Sequence, residues 1–159
     1  MKSRLDWFHA SPGAMQALLS LQEFVNESGL DASLLELVKM RASQLNGCAY
    51  CLDMHSKDAR EAGETEQRLY LLDAWREAAH LYSQRERAAL AWTEAVTHIS
   101  DGHAPDEVYE KVRAQFSEQE LATLTLAISA INTWNRMNIA FRIVAGSYRP
   151  GMFRRAKAT

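Results

Sequence analysis

Apolar residues recur every three to four positions along most of the chain, which is the periodicity of amphipathic helices. The first such run ends at Gly29 and contains Met15, Leu18, Leu19, Leu21, Phe24 and Val25. A second run, Leu34 to Asn46, follows a helix-capping Asp31, and Gly47 separates it from a third run that continues to Gly63. The pattern predicts three successive helices with a break at Gly47.

Capping residues mark the later elements. Ser83 and Ser117 are each followed three residues later by a glutamate, which is the pattern of a capping box at a helix N-terminus. A shorter helix is predicted from Glu66 to about Trp75 and another with Pro105 as its first residue. The last helix is predicted from Ser117 to about Val144. Together these signals predict an all-α fold of about seven helices.

The composition agrees with this fold class. The chain has 159 residues, of which 47% are hydrophobic and 24% charged, and it contains only 7 Gly and 3 Pro. Such a length is typical of one compact domain, so we expect a single helical domain over residues 1–159. The scarcity of turn-forming residues disfavours a β architecture.

Charge and hydropathy exclude several classes of partner. Eighteen basic and twenty acidic residues give a net charge of -2, so neither nucleic acid nor an anionic membrane is expected as a partner. The stretch from Leu121 to Asn135 is too short and too polar to span a bilayer. Charged residues near the N-terminus argue against a secretory signal, and we expect a soluble cytoplasmic protein. A basic C-terminus is expected to be a solvated end: Arg149, Arg154, Arg155 and Lys157.

Two cysteines form a C-x-x-C pair, Cys48 and Cys51. Structural disulfides are rare in the cytoplasm, so the pair is expected to be a redox couple or a pair of metal ligands. Cys48, Cys51 and His55 occupy positions i, i+3 and i+7, which share one stripe of a helix. A thiolate near a helix N-terminus is stabilised by free N–H groups, and a protonated histidine one turn away strengthens the effect.

Glu36 can join this group only if the chain reverses direction. In one straight helix Glu36 would lie about 18 Å along the axis from Cys48. A reversal at Gly47 would instead return His55 to the level of Glu36. The carboxylate could then hydrogen-bond one ring nitrogen of His55 while the other nitrogen takes the proton of Cys51, as in a nucleophile, base and orienter arrangement. Attack of a thiolate on a peroxide gives a sulfenic acid, which a second cysteine can convert to a disulfide.

Other interpretations of the same residues stay open. The cysteines could be small buried residues without reactivity. They could bind structural zinc with His55, with His80, His98 or His103 as the remaining ligand. Tyr50 is expected to form a pocket wall and not to act as a catalytic acid.

The spacing Glu36-x11-Cys48-x2-Cys51-x3-His55 resembles that of the alkylhydroperoxidase D-like proteins of the carboxymuconolactone decarboxylase superfamily. The resemblance extends over roughly residues 31–145 and includes the segment Ile131-Asn132-Thr133-Trp134-Asn135-Arg136-Met137-Asn138-Ile139-Ala140. The chain departs from that family at Tyr50, where the best-known members carry a histidine between the cysteines.

The resemblance implies an all-helical homo-oligomer, a trimer or a hexamer, with thiol-dependent peroxidase activity. It implies that Cys51 is the peroxidatic thiol, that Cys48 resolves it, and that Glu36 and His55 form a proton relay. Organic hydroperoxides would be the substrates, with a lipoyl- or thioredoxin-like protein as the reductant. No cofactor or metal is expected, and no Gly-rich nucleotide loop is seen in the sequence. The alternative function is a thiol–disulfide oxidoreductase or redox sensor.

Overall fold

The structure is a computed structural model that describes residues 2–153, and over this range the regular structure is entirely helical. The eight α-helices of these residues are α1 (Trp7–Ala10), α2 (Pro12–Asn26), α3 (Ala32–Asn46), α4 (Ala49–Glu61), α5 (Glu66–Leu71), α6 (Gln84–Thr97), α7 (Asp106–Arg113) and α8 (Glu118–Phe141). Two short 3₁₀ helices, Leu72–Ala74 and Ala79–Leu81, connect α5 to α6. The predicted all-α fold is confirmed.

Capping explains most of the boundaries. Asp31 accepts a hydrogen bond from the N–H of Leu34 at the start of α3. Ser83 and Ser117 form the predicted capping boxes at the starts of α6 and α8. α1 was not predicted from the apolar pattern, because it is a single turn.

Three predicted ends were displaced. The helix after Glu66 ends at Leu71 and continues as a 3₁₀ turn, and Pro105 is the N-cap of α7, not its first residue. α8 ends at Phe141 instead of near Val144, because Arg142 adopts a left-handed conformation with φ 55°. The basic residues Arg154, Arg155 and Lys157 lie outside the described residues.

α3 is the central element of the fold, and it packs against α4, α6 and α8. Its consecutive residues Leu37 and Val38 are both fully buried, each in a different hydrophobic cluster. A third, smaller cluster lies at the C-terminal end of α3, where Ala42 meets Cys48, Tyr50 and Cys51. The cysteines therefore lie inside the helical packing.

α8 closes the third cluster. Its apolar residues Leu124, Ile128 and Ile131 are buried, while Trp134 is only partly buried and packs against the cysteine cluster. No helix in the described part of the chain is both long and apolar enough to cross a membrane.

Candidate active site

The turn at Gly47 positions the site. Gly47 adopts a left-handed conformation, with φ 68° and ψ 33°, which ends α3. The N–H groups of Gly47 and Cys48 donate to the carbonyls of Gln44 and Ser43 at 3.1 and 3.0 Å, the arrangement of a Schellman C-cap. Cys48 then serves as the N-cap of α4. The chain reversal predicted from the sequence is confirmed, and it packs α4 against α3.

The reversal brings Glu36 and His55 together. His55 Nδ1 lies 2.9 Å from Glu36 Oε2, and both side chains are largely buried. Lys39 Nζ donates to the other carboxylate oxygen at 2.8 Å. Burial alone would raise the pKa of Glu36, but the hydrogen bond and charge of His55, together with Lys39, lower it from 4.5 to about 2. Glu36 therefore carries its negative charge against the imidazole.

Both sulfurs are buried at the start of α4. Cys48 is 1% exposed and Cys51 0%, and both are free thiols. Cys51 lies in the first turn of α4, where the unpaired N–H groups favour negative charge. The Asn138 side chain on α8 donates from Nδ2 to the Cys51 sulfur at 3.4 Å.

These surroundings shift the pKa values of the two thiols in opposite directions. A hydrogen bond from Cys48 lowers the pKa of Cys51, and although burial opposes it, Asn138, Asn135 and the charge of His55 help to bring that pKa from 9.0 to about 6. The same thiol–thiol hydrogen bond and burial raise the pKa of Cys48 far above its usual range. These surroundings favour the thiolate at Cys51 and the neutral thiol at Cys48.

Within residues 2–153, one of the two predicted hydrogen bonds of His55, the one to Cys51, is not formed. His55 forms the expected hydrogen bond with Glu36, but within residues 2–153 the Cys51 sulfur accepts from Asn138 on α8 and interacts with the Cys48 thiol. His55 acts on Cys51 through its charge. A direct proton transfer from Cys51 to His55 is therefore not set up in this conformation.

Tyr50 lies with the sulfurs in the third cluster and is 8% exposed. Burial raises the pKa of its phenol, and the nearby thiols Cys51 and Cys48 and the carboxylate of Asp53 raise it further. A phenol with a raised pKa stays uncharged, so Tyr50 presents a neutral aromatic ring to the sulfurs. Tyr50 therefore lies beside the sulfurs, and its role as a pocket wall stays a prediction.

Sequence reasoning missed the polar residues supplied by α8 and by the C-terminal segment. Asn135 and Asn138 are buried inside the chain and face the cysteines. Tyr148 was not predicted at all: its hydroxyl lies 2.8 and 3.0 Å from the two carboxylate oxygens of Asp58. Lys39 was also missed, although its position three residues after Glu36 is an ion-pair spacing.

Tyr148 belongs to residues 143–148, which we name the C-terminal strap. The strap is fastened along α4, because Lys57 Nζ donates to the Tyr148 carbonyl at 3.0 Å and the Gly146 N–H donates to Asp53 at 2.9 Å. At its other end, Ile143 packs against the cysteine cluster. The strap therefore contributes to covering the sulfurs.

Metal binding was tested against the ligand geometry. Among residues 2–153, the one set of three ligand-type side chains whose atoms all lie within 4.8 Å of one another is Glu36, His55 and Asp58. Those carboxylates already accept hydrogen bonds from Lys39 and Tyr148. The cysteines are not part of this set, so the arrangement that the zinc hypothesis required, with both sulfurs and His55 around one ion, is not formed.

The fold is similar to that of known proteins. A solved structure of a protein of unknown function from Agrobacterium tumefaciens, described as a candidate antioxidant defence protein AhpD, matches with a TM-score of 0.89 and 44% identity. The match covers 92% of this chain and 100% of that one. The debrominase Bmp8 shares the fold, with a TM-score of 0.78 at 21% identity, over 87% of this chain and 74% of that one.

Fold and site together define a helical protein of the alkylhydroperoxidase D-like class. The sequence model of the carboxymuconolactone decarboxylase family matches residues 12–95, and the chain belongs to that family. The uncharacterized protein YdfG of Bacillus subtilis is 42% identical over 140 residues, which cover 88% of this chain and 95% of YdfG. The resemblance inferred from the cysteine motif is confirmed.

Proposed function

We propose that the chain is a thiol-dependent peroxidase that reduces organic hydroperoxides at Cys51. The observation that carries the proposal is the pairing of a thiolate-forming Cys51 with a hydrogen-bonded, protonated Cys48. A pKa lowered from 9.0 favours the ionised form of Cys51 near pH 7, and the thiolate is the nucleophile. Cys51 is thus ready to attack the peroxide, and the Cys48 thiol is held beside it.

The cycle is chemically balanced with an external dithiol. The Cys51 thiolate attacks the terminal oxygen of the hydroperoxide, the O–O bond breaks, and the alkoxide takes up a proton and leaves as an alcohol. Cys51 becomes a sulfenic acid. The Cys48 thiol then attacks that sulfur, the disulfide forms, and water leaves. A lipoyl- or thioredoxin-like dithiol restores both thiols and is itself oxidised.

Glu36 and His55 serve this cycle as the charged pair beside the thiolate. The ionised carboxylate holds His55 through Nδ1, which fixes the orientation of the ring. An imidazolium stabilises the Cys51 thiolate and can supply a proton to the leaving alkoxide. Lys39 donates a hydrogen bond to Glu36 and helps to keep the carboxylate charged.

Substrate must reach sulfurs that the folded chain covers. Trp134 and Ile143 are the partly buried residues packed against the cysteine cluster, so we propose that their movement opens the route to Cys51. The chain is proposed to act as a homo-trimer or homo-hexamer in the cytoplasm, as the family resemblance implies.

Rapid mixing of the reduced protein with cumene hydroperoxide tests the proposal. The rate at which the thiolate absorbance is lost should increase with the peroxide concentration and exceed the rate for a free thiol. Cys51→Ser should abolish this reaction. His55→Ala should slow it, because the thiolate loses the neighbouring charge. A wild-type rate no faster than that of free cysteine rejects the peroxidase. Rapid reaction with a protein disulfide in that case would support the oxidoreductase alternative.

A further inference from the structure

One amide in the site has an unused hydrogen-bonding atom. Asn138 is 3% exposed, and while its Nδ2 donates to the Cys51 sulfur, its Oδ1 has no donor within residues 2–153. Leaving a buried carbonyl oxygen without a donor destabilises the folded state, so such atoms are rare. In the same residues, Trp7 Nε1 is the other buried side-chain atom of this kind.

The neighbouring asparagines on α8 differ in this respect. The amide of Asn135 accepts from Asn46 at 2.9 Å and donates to Ser43 at 3.0 Å. The amide of Asn132 also accepts from Asn46 at 2.9 Å, and it donates to Thr97 at 3.0 Å. Both amides are satisfied within the protein and hold α8 against its neighbours. The Asn138 oxygen is the one left available, and it belongs to the side chain that touches the thiolate.

We propose that Asn138 binds the substrate: its Nδ2 holds the Cys51 sulfur while its Oδ1 accepts a hydrogen bond from the O–H group of the incoming hydroperoxide. This inference rests on the proposed peroxidase function. The two amide atoms are bonded to one planar carbon, so the sulfur and the attacked oxygen are held side by side. Bringing reacting atoms into such a position is a large part of catalysis.

The arrangement is consistent through the reaction. The oxygen that carries hydrogen is the one attacked, so an S–O bond forms to it while the O–O bond breaks. The electron pair leaves with the alkoxide, which takes a proton to become the alcohol, and sulfur is oxidised to the sulfenic acid. The O–H of that sulfenic acid is the former peroxide O–H, and it keeps its hydrogen bond to Asn138 Oδ1.

The inference also defines a substrate class. Alkyl hydroperoxides and hydrogen peroxide carry the O–H group that Oδ1 requires, whereas dialkyl peroxides do not. A site with an unpaired buried acceptor discriminates against a ligand that lacks the donor. Asn138 is therefore expected to select hydroperoxides over dialkyl peroxides.

The test compares two reagents on the same thiolate. Rate constants of Cys51 with cumene hydroperoxide and with iodoacetamide, which has no O–H group, are measured for the wild type, Asn138→Ala and Asn138→Leu. Leucine has the same number and branching of side-chain heavy atoms as asparagine and adds no unpaired polar atom, so the fold should be retained. Asn132→Ala is the matched control, because it removes an equally buried asparagine of α8 that bonds to Thr97 instead of to sulfur.

The ratio of the two rate constants cancels any change in the thiolate pKa. We expect the ratio to fall roughly tenfold in both Asn138 variants, the effect of one lost hydrogen bond, and to stay unchanged in Asn132→Ala. An unchanged ratio in folded Asn138→Leu would overturn the assignment. If the wild type itself reacts no faster than free cysteine, the proposed function fails, and this inference fails with it.

A measurement on the wild type alone gives a second test that does not depend on a variant's folding. The rate enhancement over free cysteine thiolate is compared for tert-butyl hydroperoxide and di-tert-butyl peroxide. A larger enhancement for the hydroperoxide supports the role of Asn138 Oδ1. Equal enhancements would contradict it.

Discussion

The hydrogen bond between the two thiols is expected to be the main cause of Cys51 ionisation. Cys48 is the largest single influence that lowers the pKa of Cys51, ahead of Asn138, Asn135 and the charge of His55. Cys48→Ala removes the donor, whereas Cys48→Ser keeps a hydroxyl donor in the same place. The two variants therefore separate the hydrogen bond from the loss of the second sulfur.

The magnitude follows from the strength of a hydrogen bond to a charged group. Such a bond contributes about 1.5–3 kcal/mol, and each pKa unit corresponds to about 1.4 kcal/mol, so its loss should raise the pKa by about 1–2 units. From a starting pKa of about 6, Cys51 in Cys48→Ala is then expected to titrate at about 7–8. Near pH 7 the ionised fraction would fall from about 90% to between about 50% and 10%.

Ultraviolet titration of the thiolate measures this shift directly, because each variant keeps a single cysteine. We expect the pKa of Cys51 to rise in Cys48→Ala and to stay near the wild-type value in Cys48→Ser. The rate of alkylation by iodoacetamide should follow the same pH dependence. If alanine leaves the pKa unchanged, or if serine raises it as much as alanine does, the assignment of Cys48 as the activating donor is wrong.

Three further predictions concern the surroundings of the dithiol. Glu36 has a folded pKa of about 2, below the usual 4.5, so its ionised form stabilises the fold above pH 4.5 by on the order of 3 kcal/mol. This stabilisation is lost as the pH falls towards 2 and the carboxylate is protonated. The unfolding free energies of the wild type and Glu36→Gln should therefore differ at neutral pH and converge in acid; a constant difference would contradict the ion pair. Tyr148→Phe removes the hydrogen bond to Asp58 and should accelerate alkylation of Cys51 roughly fivefold by loosening the C-terminal strap, whereas an unchanged rate would show that the strap does not limit access. Gly47→Ala places a side chain at φ 68° with no atom within 4 Å of the added Cβ, so backbone strain alone should cost about 1 kcal/mol in urea unfolding, and no loss would mean that the turn does not require the left-handed conformation.

The reversal at Gly47 could be predicted from the sequence because its causes are local. A glycine between two helical runs is sufficient to place the turn, and 3.6-residue periodicity then places Cys51 and His55 on one stripe. The Glu36–His55 contact follows from the rise per residue of two antiparallel helices. That part of the site was confirmed at 2.9 Å.

The contributions of α8 and the C-terminal strap could not be predicted in the same way. Asn138 lies 87 residues from Cys51, and the periodicity of α8 does not reveal which helix its polar face meets. Tyr148 contacts Asp58 from a segment without regular structure, where no pattern constrains the chain. The end of α8 at Phe141 depends on the left-handed conformation of Arg142. An arginine in the sequence does not predict that conformation, which is uncommon for residues other than glycine.

In the proposed cycle Cys51 is the thiol oxidised by a hydroperoxide, and Cys48 closes the disulfide. The most direct measurement treats reduced Cys48→Ser with one equivalent of cumene hydroperoxide in the presence of a sulfenic-acid trap and locates the adduct by peptide mass spectrometry. We predict an adduct on Cys51 in this variant and, in the wild type, an intramolecular disulfide without adduct. An unmodified Cys51 in Cys48→Ser would contradict this assignment. So would an adduct on Cys48 in Cys51→Ser that forms as fast as the wild-type protein is oxidised.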